Sequence, residues 1–217
     1  MLSAKERLIH LLDLAEKGPA LRAALAEEVT DLLLDWPADC PDAMRIPCEA
    51  LLERAARDVD AATRARLAQR ADGHPELPVA LLNALFFVAS EPLKKSIVAR
   101  NEDAAELPAD KDAADETALI KAARVNKAFV AEFARQIHVS IETAQDILTD
   151  TSGQSLAVAC KGAHVTRAGF SALAMLTAKD ATCGTRLEAY DCVPLHAAER
   201  MLHAWRTHNP DHRAAAE

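Results

Sequence analysis

The stretch from Asp58 to Asn101, DVDAATRARLAQRADGHPELPVALLNALFFVASEPLKKSIVARN, is interrupted too often for any long element to form. Asp60, the Gly73-His74-Pro75 triplet, Pro78 and Ser90-Glu91-Pro92 punctuate it. Asp and Ser offer a side-chain oxygen to the free N–H groups of a helix start, Pro fits only a first turn, and Gly ends a helix. Between the interruptions the apolar residues recur at helical spacing and do not alternate. A chain written this way folds as short helices joined by tight turns. Each has one apolar face that it cannot bury alone, so neighbours must stack.

The same grammar holds on both sides. Leu2–Lys17 reads as an amphipathic helix closed by Gly18-Pro19. A second helix runs to about Asp35. A third begins near Ile46, with Pro47 in its first turn, and ends near Arg57. Glu102–Glu116 differs, with seven acids, one lysine and Leu107 as its only large apolar residue. It reads as a linker or exposed loop. It separates residues 1–101 from a second helical region at 117–209, and a frayed tail follows at 210–217. In the second region Phe129, Phe133 and Ile137 form a stripe, Ser140 and Thr166 are helix caps, and Pro194 opens the last helix.

Composition supports helices. Ala and Leu dominate, Gly occurs 6 times, and aromatic residues make up only 4%, which leaves few of the residues that carry strands. The net charge of −8 repels phosphate backbones and anionic lipid, so nucleic acid is disfavoured and a membrane is not expected. No apolar run is long enough to span a bilayer, and the N-terminus lacks the uninterrupted apolar segment of a signal peptide. Cys40, Cys48, Cys160, Cys183 and Cys192 form no CxxC pair. They read as reduced cytoplasmic thiols with no structural zinc.

RDVDAATRARLAQRA resembles the second-helix signature of HEAT-like repeats, in which an Asp precedes a helix bearing an inward-reaching Arg; Asp60 and Arg64 match those places. The following HPELPVALLNALFFVASEPLKKS is similar to a bacterial HEAT-like family of unknown function, in which a Pro-led helix precedes a V-A-x-x-x-L-x-x-S pattern. That pattern reads Val88-Ala89-Ser90-Glu91-Pro92-Leu93-Lys94-Lys95-Ser96 here. LIKAARVNKAFVAEFARQI and ILTDTSGQSLAVACKGAHVTRAGFSALAML resemble its later sections. The resemblance implies an all-α superhelix of about ten short helices, with Asp60 and Arg64 as a structural ladder. It brings no activity. The chain departs from the family at Ala84-Leu85-Phe86-Phe87, where acidic turn residues are the rule. The corner is therefore either buried more deeply or left as an apolar partner surface made of Leu85, Phe86 and Phe87.

Reactive groupings are sparse. His196, Glu199 and His203 share one helix face, where a metal site competes with a plain solvated surface. Cys160 and His164 stand one turn apart, as a nucleophile and base would, but no oxyanion-hole turn accompanies them. The segment Ala159–His164 resembles a histidine phosphotransfer signature whose acceptor position is here Val158, which cannot take a phosphoryl group. Arg64, Arg66, Arg70, Lys94, Lys95 and Arg100 outline a short basic strip of the kind that HEAT-like DNA-handling enzymes use. The sequence thus reads as a non-catalytic, cofactor-free scaffold or regulatory module for a protein partner. A nucleic-acid-associated repeat protein of repair type and a signalling adaptor are the alternatives.

Overall fold

The computed structural model describes residues 21–38, 40–57, 59–74, 77–103, 113–125, 129–178 and 183–207, with Glu6 and His10. Glu6 and His10 are helical; the rest of the expected Leu2–Lys17 helix and the 210–217 tail lie outside these residues. Twelve α-helices and no strand occur among the described residues. They are α1 Arg22–Leu34, α2 Arg45–Arg57, α3 Ala61–Ala71, α4 Val79–Leu85, α5 Glu91–Glu102, α6 Glu116–Val125, α7 Phe129–Ile137, α8 Ile141–Thr149, α9 Gln154–Gly162, α10 Arg167–Thr177, α11 Cys183–Cys192 and α12 Leu195–Thr207. The chain divides into two compact units at Ile97/Val98, inside α5 and just before the expected linker. Residues 104–112 of that linker are not among the described ones, whereas Glu116 opens α6.

In the first unit α2 packs on α1 and α4, and α3 packs on α1 and α4. Leu25, Val29 and Leu32 of α1, Leu52 of α2, Leu67 of α3 and Leu81, Leu82 and Leu85 of α4 fill its core. In α1 and α4 they recur every three or four residues, so one stripe of each helix meets its neighbours. The Pro-led helix is short: α4 stops at Leu85, and Phe86–Val88 tighten into a 3₁₀ turn. The turn packs against α3. The narrower winding swings Phe86 fully into the core.

The second unit is arranged around α9. Leu156, Ala157, Val158, Ala159 and Cys160 are all buried, so the helix is enclosed on every side. It is flanked by α8, α11 and α12. Small side chains allow this. A Cβ added to Gly162 would stand 2.6 Å from the Ala198 carbonyl oxygen of α12. Around this centre α6 packs on α7 and α10, α7 on α8, and α10 on α11.

One turn recurs. Helices α8, α10 and α12 are each entered through a buried valine followed by a starting residue: Val139-Ser140, Val165-Thr166 and Val193-Pro194, which stand 26 and 28 residues apart. Ser140 and Thr166 accept the backbone N–H of Thr143 and Gly169. Val59-Asp60 does the same before α3, with Asp60 accepting from Thr63 N–H at 2.7 Å. In the first two turns a histidine precedes the valine in the left-handed region, His138 at φ 58° and His164 at φ 56°. There the valine N–H returns to the helix, to Ala134 O and Cys160 O respectively. This is a Schellman-type stop with His where Gly is usual.

Candidate functional site

The apolar corner is interior. Leu85 and Phe86 have no exposed surface, and Phe87 is half-buried with its ring edge-on to Phe86 at 6.1 Å. A partner surface made of Leu85, Phe86 and Phe87 is therefore not available. The physical reason is the 3₁₀ turn, which folds the corner onto α3.

Asp60 and Arg64 do not meet through their side chains. The Asp60 carboxylate caps α3, and the Thr63 N–H is the main reason its carboxyl lies below the ordinary range. Arg64 reaches Asp60 only through its backbone N–H, and its Nε is buried without a hydrogen-bond partner. A side-chain link from α3 to α1 is made instead by Arg66 and Arg70. Arg66 Nε donates to Glu27 Oε1 of α1 at 2.9 Å, while Arg70 reaches Glu27 Oε2 and Asp31 Oδ1 at 3.3 Å each. The basic strip is accordingly broken. Two of its arginines are paired with carboxylates, Lys94 is 5% exposed with Nζ 5.6 Å over the Phe86 ring, and Lys95 is exposed.

Glu199 does sit between two histidines, but only one of them, His196, is on the helix face the sequence suggests; the other is His164. Its two oxygens face His164 Nε2 at 3.4 Å and His196 Nδ1 at 3.5 Å, while His203 stands apart in solvent. The two imidazoles lie on different oxygens. No group of three His, Cys, Asp or Glu among the described residues is placed to hold a metal ion. Cys160 is wholly buried, which pushes its thiol far up and disfavours the thiolate, so it forms no nucleophile–base pair with His164. Val158, at the phosphoacceptor position, is equally buried. Lys161 of the same segment caps α11, donating to Tyr190 O at 2.9 Å with Nζ 4.9 Å over the Tyr190 ring.

No family model, curated protein or solved structure matches this chain.

Two features had no part in the sequence reading. The Asp150 carboxylate accepts from the backbone and hydroxyl of both Ser152 and Ser155, filling the start of α9. The D-x-S-x-x-S spacing was the available signal. The second feature is a set of large apolar side chains standing in water. Ile46 is 70% exposed, Met175 69%, Val125 65% and Ile141 55%, with Met44, Leu176 and Leu195 less so. In the helical pattern they look like core residues. Only the packing shows that they stay exposed.

Proposed function

We infer that this chain is a non-catalytic helical-repeat protein that holds a protein partner, as a scaffold or regulatory module. The observation that carries the reading is the exposed apolar surface, paired in sequence at Met44 with Ile46 and at Met175 with Leu176. Large apolar side chains are costly to leave in water, and where they form a patch they mark contact sites. The recurring valine-and-cap turn supports a HEAT-like repeat order, with short helices stacked as a superhelix. The five free thiols support a reducing, cytoplasmic setting.

Immobilised full-length protein in cell lysate is expected to retain a protein. At least one of Ile46→Asp and Met175→Asp is expected to release it with far-ultraviolet circular dichroism unchanged. Recovery of nucleic acid alone, or turnover of a small substrate by the purified protein, defeats the reading. In a low-salt gel shift the protein is expected to leave nucleic acid unshifted, because Arg66 and Arg70 already serve Glu27 and Asp31.

A further inference from the structure

We propose that the outer face of α6 and α10 is the docking surface, and that it takes a short acidic amphipathic segment of the partner. This rests on the interaction reading above and adds its location and the partner's chemistry. The two helices start together: Glu116, the first residue of α6, accepts from the Thr166 hydroxyl at 3.0 Å and from the Thr166 N–H at the cap of α10. They pack against each other and have 10 and 11 residues, so each is about 15 Å long. Leu119 and Ala123 of α6, with Phe170, Leu173 and Ala174 of α10, are buried on the inner side. Val125 and Met175 each stand nine residues beyond the joined starts, toward the far ends of their helices. With Leu176 they make an apolar end that is 65%, 69% and 41% exposed.

Charge selects the occupant. Lys121 and Arg124 lie exposed on α6 beside that apolar end, with no ion-pair partner among the described residues. They form a local positive patch in a chain of net charge −8. An extended anionic membrane meets the net charge and is repelled. A short acidic segment meets only what lies within a Debye length, roughly 8–10 Å. A surface this long accepts an amphipathic helix with its apolar side on Met175 and its acids on Lys121 and Arg124.

The test is fluorescence anisotropy with full-length protein and a labelled amphipathic peptide carrying Leu on one face and Glu on the other. A peptide with Lys for Glu and phosphatidylserine vesicles serve as controls. The acidic peptide is expected to bind, about tenfold more weakly to the Lys121→Glu, Arg124→Glu double variant, and not to Met175→Asp. Ile46→Asp is expected to bind as wild type. Equal binding of the basic peptide, Met175-dependent binding of vesicles, no binding of the acidic peptide, or indifference to both α6/α10 variants overturns the proposal. Lysate capture with the same variants separates the two readings. A partner kept by Met175→Asp and by the double variant removes this face but leaves the interaction function standing. No partner with any form removes both.

Discussion

Gly153 shows how one residue is fixed by its surroundings. It stands at the N-cap of α9 with φ 74°, and a Cβ there would lie 2.5 Å from Cγ of Arg186. Gly73 has a similar φ of 82° but open space around it. Gly73→Ala therefore meets only the left-handed backbone penalty, about 1–2 kcal/mol. Gly153→Ala adds a collision with a buried arginine and is expected to cost more. Urea denaturation of both variants measures the difference, and equal losses would show that Arg186 moves aside freely. Nothing in the residue type distinguishes the two glycines; the neighbour does.

At the scale of single helices, caps and tight turns decide the outcome. Ser140→Ala removes the acceptor for the Thr143 N–H and is expected to lose about 1 kcal/mol of stability by denaturant titration. Phe86→Ala empties the place where the 3₁₀ turn meets α3 and is expected to cost about 3–5 kcal/mol. On α7, the guanidinium of Arg135 and the amide of Gln136 hold the Glu132 carboxyl down at about 2, below its ordinary 4.5. A carboxyl depressed in the folded state stabilises above its unfolded value, and that stabilisation is lost as pH falls through the folded one. Wild-type stability should therefore decline more steeply from pH 4.5 to 2 than that of Glu132→Gln, as followed by thermal melts. Parallel curves would refute this. The caps at Asp60, Ser140 and Thr166 were legible in the sequence because a cap is a local hydrogen bond. The break at Leu85 was not, because it goes with the packing of the 3₁₀ turn on α3, a contact between elements that no local pattern states.

Across the whole molecule each unit encloses a thiol. Cys48 is 3% exposed in the first and Cys160 fully buried in the second, whereas Cys192 is exposed. A thiol reagent is expected to modify Cys192 in the native protein and Cys160 only when the second unit opens, since α9 is covered on every side. Mass spectrometry of partly labelled protein reads the order, and early labelling of Cys160 would contradict the enclosed helix. By itself the sequence determined the all-helical class, most helix boundaries and the scarcity of reactive groupings. These follow from local propensity, capping and periodicity, which act over a few residues. Only tertiary structure decided that Phe86 is core while Met175 and Val125 face water, that Arg66 and Arg70 serve Glu27 and Asp31, and that Glu199 meets His164. A helical pattern names an apolar stripe or a charged one. Whether a neighbour covers it depends on contacts between residues far apart in the chain, and those form only when the helices pack.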